Sequence, residues 1–243
     1  MIKELNEKFM RKRAGTLQLS VSLGCAERTG KDQNLDCVIR QAEEWMYHQK
    51  LLEGRSYRNA IINTLLATLY EKSMETEEHA RRLSLYCKAI GRELKLTDKT
   101  MNELSLLSLL HDIGKVGINQ SILKKPGALT PEEWNEMKKH SEIGYRITQN
   151  TPELSLVSDY ILFHHEHWDG KGYPKGLEGE QIPICCRILA VADAFDAMTN
   201  DRVYRKAFTR EQAIEELVRN SGGQFAPNIV EIFIKILRKE NVS

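Results

Sequence analysis

An adjacent imidazole and carboxylate, His111-Asp112, follow an almost unbroken apolar run at 104–110 and lead into Gly114 and Lys115. A run this apolar predicts a helix that is packed on most of its sides. Its end therefore places two groups that are hard to bury at the edge of a core. Such groups need hydrogen bonds or a metal ion, because burying them without partners is costly. We predict that Gly114 stops the helix and that Lys115 emerges beside the pair.

Other histidines and carboxylates fall on the inward faces of predicted helices. Glu75 and His79 are four residues apart on one helical face, and His79 continues an apolar stripe through Leu83. A lone histidine on such a face is more often a satisfied core residue than a ligand. Taken together, however, the inward groups indicate a polynuclear metal site. The remaining candidates are His140, His164, His165 and Asp193.

The donor types limit the chemistry of such a site. Imidazoles and carboxylates without thiolates suit Fe, Mn, Zn or Ni rather than a structural cysteine-zinc site. The carboxylate of an adjacent His-Asp pair can bridge two metals, and a water held between them becomes acidic enough to attack phosphorus. The pattern therefore favours metal-assisted hydrolysis of a phosphate ester.

The elements that must position these groups are mostly helical. From about residue 57 onward, apolar residues recur with a 3.6-residue period, and residues 130–133 form a capping box with proline at the first helical position. Further helices are predicted at about 153–165 and after Pro183, Thr209 and Pro227. The main domain, residues 57–243, is predicted to be an all-α bundle.

The N-terminal part has a different pattern. Residues 17–26 alternate between apolar and polar side chains, which predicts a strand, and a helix is predicted from about Leu35 to Arg55. One strand and one helix cannot form a sheet domain. Residues 1–56 are therefore predicted to be a short α/β remnant or appendage.

Composition sets outer limits on function. The net charge of +1 gives no reason to expect a nucleic acid polymer, so phosphate affinity must come from local groups. No apolar stretch approaches the ~20 residues of a membrane span, and the first residues lack the apolar core of a signal peptide. Five cysteines without Cys-x-x-Cys spacing predict reduced thiols and a cytoplasmic protein.

Two motifs carry a resemblance to a known family. Residues 111–115 (His-Asp-Ile-Gly-Lys) and 164–174 (His-His-Glu-His-Trp-Asp-Gly-Lys-Gly-Tyr-Pro) resemble an HD-GYP domain, a branch of the HD phosphohydrolases, over about residues 65–240. The resemblance implies a helical HD bundle with two or three divalent metal ions. Fe or Mn is expected in preference to Zn or Ni. Two of the implied ligands, Glu75 and His79, match positions that accompany a third metal. The implied ligands are Glu75, His79, His111, Asp112, His140, His164, His165 and Asp193.

The resemblance also implies an activity. The family hydrolyses the bacterial second messenger cyclic di-GMP, here to linear pGpG, with onward cleavage to GMP left open. Asp112 and Lys115 are the implied catalytic residues, and Lys115, Arg202 and Arg205 match residues that contact substrate phosphates. Val203 departs from the proline usual between the two arginines. The general acid stays open between a metal-bound water and Lys115.

A second resemblance covers about 40 residues of the N-terminal part. Residues 22–26, 42–47 and 54–55 resemble the last strand and helix of a GGDEF (diguanylate cyclase) domain. The signature loop and metal-binding aspartate of that family are missing, so no cyclase activity is expected. A homodimer or a GGDEF-domain signalling partner is compatible with this remnant.

Two alternatives to cyclic di-GMP hydrolysis stay open. One is an HD enzyme that acts on another cyclic dinucleotide or on a nucleotide. The other is a catalytically idle domain that binds the nucleotide or a partner and signals by contact. The complete ligand set argues against the idle domain, because such a domain would be free to lose ligands.

Overall fold

Helices make up most of the described chain. The structure is a computed structural model, and it describes residues 13–14, 17–18, 27, 35–73, 75–201 and 206–240. The chain divides into two units, Met1–Asn63 and Thr64–Ser243. Among the described helices, none combines the length and apolar character that crossing a membrane requires.

The first unit contains a short antiparallel pair and the start of a long helix. Strands β1 (Arg13–Ala14) and β2 (Leu17–Gln18) pair with each other, and the rest of the predicted strand at 17–26 lies outside the described residues. Helix α1 runs from Leu35 to Lys72, well beyond the predicted end at Arg55. Gly54 does not end it, because a single interior glycine costs only about 1 kcal/mol and no proline follows.

The second unit is an α-helical bundle, which confirms the predicted fold class. Short 3₁₀ helices at Ile113–Gly117, Ser155–Val157 and Gly179–Gln181 connect some of its helices. The α-helices of this unit after α1 are α2 (Glu77–Glu93), α3 (Asp98–Leu110), α4 (Gln120–Leu123), α5 (Pro131–Lys138), α6 (His140–Gln149), α7 (Ser158–Phe163), α8 (Ile184–Thr199), α9 (Arg210–Arg219) and α10 (Pro227–Glu240).

Capping boxes or prolines mark four helix starts where the sequence predicted them. Thr130 and Thr209 each form a capping box, before α5 and α9 respectively. Pro183 precedes α8, and Pro227 begins α10. The predicted helix at 153–165 is wrong in extent, because the 3₁₀ turn at Ser155–Val157 replaces its first part.

The core lies between α2, α3, α8 and α10. Leu83, Leu107, Ile188 and Phe233 are fully buried there. The rings of Tyr86, Phe195 and Phe233 meet edge to face with centroids 5.1–5.5 Å apart. This packing fixes α2 and α8 against each other, and these two helices carry His79 and Asp193.

Gly114 has a different role from the predicted helix stop. Helix α3 already ends at Leu110, and Gly114 lies within the following 3₁₀ helix. A Cβ on Gly114 would lie 1.8 Å from the carbonyl oxygen of His140 and 2.5 Å from the amide nitrogen of Gly144. Only glycine therefore permits the His-Asp segment to lie this close to α6.

We predict that Gly114→Ala destabilises the metal-free protein by about 1–3 kcal/mol, because the methyl group would force two backbones apart. Urea unfolding measures this change, provided that the m value is the same for the variant and the unaltered protein. Gly223→Ala is the matched control, since the atom nearest to its added Cβ lies 3.6 Å away. Its stability should change by less than about 0.5 kcal/mol. Equal stability of the two variants would show that the close approach at Gly114 is not needed.

Candidate metal centre

Four predicted ligands from three segments meet in the second unit. Each of these residues offers one ligand atom, and the four atoms lie within 4.8 Å of one another. One ligand follows α3, one begins α6, and two follow α7. Three of the four side chains belong to residues that are buried from solvent. This first group consists of Asp112, His140, His164 and His165.

The hydrogen bonds of two histidines determine where their protons lie. The Nδ1 atom of His140 is 2.7 Å from the carbonyl oxygen of Met137, and that of His164 is 2.7 Å from the carbonyl oxygen of Ile161. A carbonyl oxygen only accepts, so each Nδ1 carries the proton. A neutral imidazole of this tautomer has a lone pair at Nε2.

These lone pairs face one another. The Nε2 atom of His140 lies 3.3 Å from Nε2 of His164 and 3.1 Å from Nε2 of His165. Burial lowers the pKa of His140, and it lowers the pKa of His164 and His165 well below the usual value. The rings are therefore neutral near pH 7. Two unprotonated nitrogens cannot hydrogen-bond to each other, whereas a cation between them satisfies both, so this group fits a metal ion.

Asp112 connects this group to a second one. Its Oδ1 lies 3.4 Å from Nε2 of His140, and its Oδ2 lies 3.2 Å from Nε2 of His111. Burial alone would raise the pKa of Asp112, but the charges of Lys115 and His111 outweigh burial and hold that pKa well below its usual range. The ionised carboxylate thus presents one oxygen to each group, which is the geometry a bridging ligand needs.

The second group combines His79, His111 and Asp193, whose ligand atoms also lie within 4.8 Å of one another. The Nε2 atom of His79 is 3.6 Å from Oδ1 of Asp193. The ring of His111 lies 6.0 Å from that of His79 and 5.5 Å from that of His164, so the two groups adjoin. Among the described residues, the buried Nδ1 of His111 has no hydrogen-bond partner.

Glu75 lies outside both groups, at their edge. One of its oxygens is 3.7 Å from Nε2 of His79, and the other is 2.6 Å from the ammonium of Lys115. The same ammonium is 2.7 Å from Oδ2 of Asp112. Burial would lower the pKa of Lys115, but the two carboxylates raise it above its usual value. Lys115 is therefore a fixed positive charge between two predicted ligands.

The two predicted phosphate-binding arginines, Arg202 and Arg205, lie outside the described residues.

Seven of the eight predicted metal ligands fall within the two groups, and Glu75 is the exception. The structure thus brings together side chains that are more than a hundred residues apart in the sequence.

The glycine-rich loop folds back onto the histidine pair. Tyr173 stacks on the ring of His165 with centroids 4.8 Å apart. A Cβ on Gly172 would lie 2.2 Å from the amide nitrogen of His167, so only glycine fits there. The buried carboxylate of Glu166 accepts hydrogen bonds from the amides of Lys175 (2.7 Å) and Leu177 (2.9 Å). Sequence reasoning missed this role of Glu166, although an acid directly after the histidine pair was a usable signal.

A second residue that sequence reasoning missed is Asp196. Its side chain is 2% exposed, and its Oδ2 lies 2.7 Å from Nδ1 of His79. Arg82 donates to the same carboxylate from Nε (2.6 Å) and Nη2 (3.0 Å). Burial alone would raise the pKa of Asp196, but the hydrogen bonds from His79 and Arg82 outweigh it and lower the pKa. The signal in the sequence was spacing, since Asp196 and Arg82 each lie three residues beyond a predicted ligand.

Comparison with protein families identifies the family of this chain. The model of a family described as HD domain matches residues 63–229, and the chain belongs to this family. A relative from Thermotoga maritima, named cyclic di-GMP phosphodiesterase, is 44% identical over 68% of this chain and 45% of its own length. The 3′3′-cGAMP-specific phosphodiesterase 2 of Vibrio cholerae is 37% identical over 76% of this chain and 36% of its own length.

Solved structures share the same fold. The HD domain of the Listeria monocytogenes phosphodiesterase PgpH, in complex with cyclic di-AMP, aligns with a TM-score of 0.54 at 15% identity. The alignment covers 74% of this chain and 97% of that domain. The chain spans less than half the length of the two curated relatives, so their activities belong to longer proteins.

We predict that Asp112→Ala loses most bound metal, because both groups then lack the carboxylate between them. Elemental analysis of the purified variant measures this loss. Asp159→Ala is the matched control, since Asp159 is an exposed carboxylate on α7. It should keep the metal content of the unaltered protein. Full metal content in Asp112→Ala would contradict the bridging assignment.

Proposed function

We propose that this chain is an HD-GYP phosphodiesterase that hydrolyses cyclic di-GMP to linear pGpG. The observation that carries the proposal is the set of buried, neutral imidazoles whose lone pairs face one another beside an ionised carboxylate. Bound cations would stabilise such a site. Cations at this place suit a phosphodiester substrate, which brings negative charge to them.

The relatives support this choice of substrate. The relative from Thermotoga maritima and a second one from Vibrio cholerae, 38% identical over 77% of this chain, are both named cyclic di-GMP phosphodiesterase. The combination of the His-Asp pair with the Gly-Tyr-Pro loop at 172–174 favours the HD-GYP branch. We propose cleavage of pGpG to GMP as a further step that depends on a third metal.

The ligands divide between the two groups. Asp112, His140, His164 and His165 would hold one ion, and His79, His111 and Asp193 would hold another, with Glu75 beside them. We propose that two or three ions bind, and that these are Fe or Mn in preference to Zn or Ni. This choice is consistent with imidazole and carboxylate donors. Bound there, metal ions supply an acidified water and stabilise negative charge on the phosphate.

The protein's own cations balance the remaining charge. Lys115 is fixed between Asp112 and Glu75, where its ammonium can donate a further hydrogen bond to a phosphate oxygen. Its raised pKa makes it a poor proton donor at neutral pH, which argues against Lys115 as the general acid. Arg202 and Arg205 are proposed to bind the substrate phosphates.

A second substrate has support of its own. Three of the curated relatives from Vibrio cholerae are named 3′3′-cGAMP-specific phosphodiesterases, at 32–37% identity. Hydrolysis of a mixed cyclic dinucleotide uses the same metal chemistry, so the site described above does not separate the two substrates. The idle-domain alternative is disfavoured, because seven ligands converge in two groups.

The remaining proposals concern the protein around the site. We propose that residues 1–56 are a GGDEF-like remnant without cyclase activity and that residues 57–243 form the HD-GYP domain. We further propose a cytoplasmic protein that acts as a homodimer or with a GGDEF-domain partner. The family match begins at residue 63, which supports a boundary in this region.

We predict that the purified, metal-loaded protein converts cyclic di-GMP to pGpG faster than it converts 3′3′-cGAMP or cyclic di-AMP. Product analysis in single turnover, with the three substrates alone and in competition, measures this order. Chelation should remove the activity, and added Mn²⁺ should restore it. Tight binding of cyclic di-GMP without turnover, in protein with full metal content, would instead support the idle domain.

We predict different defects for Arg202→Ala and Glu75→Ala. Loss of a charge-assisted phosphate contact costs about 1.5–3 kcal/mol, so Arg202→Ala should weaken substrate binding about ten- to a hundred-fold with normal metal content. If the contact is equal in ground and transition states, the loss raises KM and leaves kcat unchanged. Glu75→Ala should instead lower the metal content and stop the reaction at pGpG.

Two exposed residues serve as matched controls for these variants. Lys206→Ala removes a cation that is close to Arg202 in the sequence, and Glu77→Ala removes a carboxylate that is close to Glu75 in the sequence. Both should retain the metal content, KM and products of the unaltered protein. Loss of metal in Arg202→Ala, or an unchanged metal content and product pattern in Glu75→Ala, would contradict the assigned roles.

A further inference from the structure

One histidine of the centre is oriented by a side chain rather than by the backbone. The Nδ1 atoms of His140 and His164 donate to carbonyl oxygens three residues earlier in the chain. His79 instead directs its Nδ1 at the carboxylate of Asp196, 2.7 Å away on a different helix. Its orientation therefore depends on a residue outside the ligand set.

The carboxylate of Asp196 is itself held in place. Arg82 binds both of its oxygens, with Nε 2.6 Å from Oδ1 and Nη2 3.0 Å from Oδ2. The side-chain amide of Asn200 lies 3.2 Å from Oδ1, and its nitrogen also bonds to the carbonyl oxygen of Asp196. The side chain of Asp196 is almost fully buried, so water does not compete for these contacts.

The contacts on the other ring nitrogen show the consequence. The Nε2 atom of His79 lies 3.6 Å from Asp193 and 3.7 Å from Glu75, on the side of the ring opposite to Asp196. In the neutral tautomer whose Nδ1 donates its proton to Asp196, the lone pair lies on Nε2. That lone pair then faces Asp193, another member of the second group.

We propose that Asp196, clamped by Arg82, is a positioning residue that fixes the tautomer and orientation of His79 and so controls occupancy of the metal position of the second group. The inference rests on the proposed metal centre. A carboxylate partner of this kind typically changes metal affinity about ten- to a hundred-fold.

The substitution Asp196→Asn tests the proposal with little change of shape. The side chain of asparagine has only one acceptor oxygen. Because the guanidinium of Arg82 binds that oxygen, the NH₂ group of the asparagine faces His79. A donor facing Nδ1 favours the tautomer with its proton on Nε2, and that tautomer cannot bind a metal there. Arg82→Lys is the second variant, because it keeps the positive charge but loses the bidentate contact with Asp196.

Two readouts are measured on the full chain. Titration of the metal-free protein with Mn²⁺ should show one site of Asp196→Asn lost or weakened about ten- to a hundred-fold, with Arg82→Lys intermediate. Long-range ¹H–¹⁵N spectra of the metal-free protein, recorded at a pH high enough to keep the imidazole neutral, should show His79 protonated at Nδ1 in the unaltered chain and at Nε2 in Asp196→Asn. Thermal unfolding of the metal-free variants separates these changes from a loss of stability.

The control is Glu78→Gln, because Glu78 is exposed and reaches Arg82 only at 3.8 Å. It should match the unaltered protein in both readouts. Unchanged Mn²⁺ affinity and an unchanged His79 tautomer in Asp196→Asn would overturn the proposal, even if the variant is less stable. Should Asp196→Asn fail to fold, the same two readouts on Arg82→Lys decide. Absence of Mn²⁺ binding in the unaltered chain would contradict the metal centre itself, and the tautomer measurement would still test the role of Asp196.

Discussion

The second unit depends on buried imidazoles whose unprotonated nitrogens face one another. Hydrogen bonds to the carbonyl oxygens of Met137 and Ile161 fix the protons of His140 and His164 on the far side of each ring. Protonation of the facing nitrogens is opposed by burial, which lowers the pKa of these residues. A bound cation resolves this conflict at low cost, so metal binding and stability of the folded state are coupled.

The surrounding structure maintains this arrangement by close packing. Gly114 lets the His-Asp segment approach the backbone of α6, and Gly172 lets the glycine-rich loop approach the segment that carries His165. Glu166 holds the same loop through two backbone amides. These three residues are not among the candidate metal ligands, yet each one limits how far a ligand can move. Precision of this kind matters, because metal geometry tolerates only small displacements of the donor atoms.

The sequence was sufficient to predict the all-α fold and several helix starts, and seven of its eight candidate metal ligands lie in the two groups. Those features follow from local signals, such as the capping box at Thr130 or the i, i+4 spacing of Glu75 and His79. The close approach at Gly114 and the contact between His79 and Asp196 were not predicted, because they depend on how distant segments pack. Helix α1 also continues past its predicted end at Arg55, since no proline or other strong stop signal follows.

Anomalous X-ray diffraction can locate the metal positions directly, using crystals of the full chain grown with Mn²⁺ and data collected on both sides of the manganese absorption edge. We predict one anomalous peak among Asp112, His140, His164 and His165 and a second beside His79, His111 and Asp193, with Asp112 in contact with both. Crystals that contain Mn²⁺ elsewhere but show no peak between the Nε2 atoms of His140 and His164 would show that the facing imidazoles do not form a metal site.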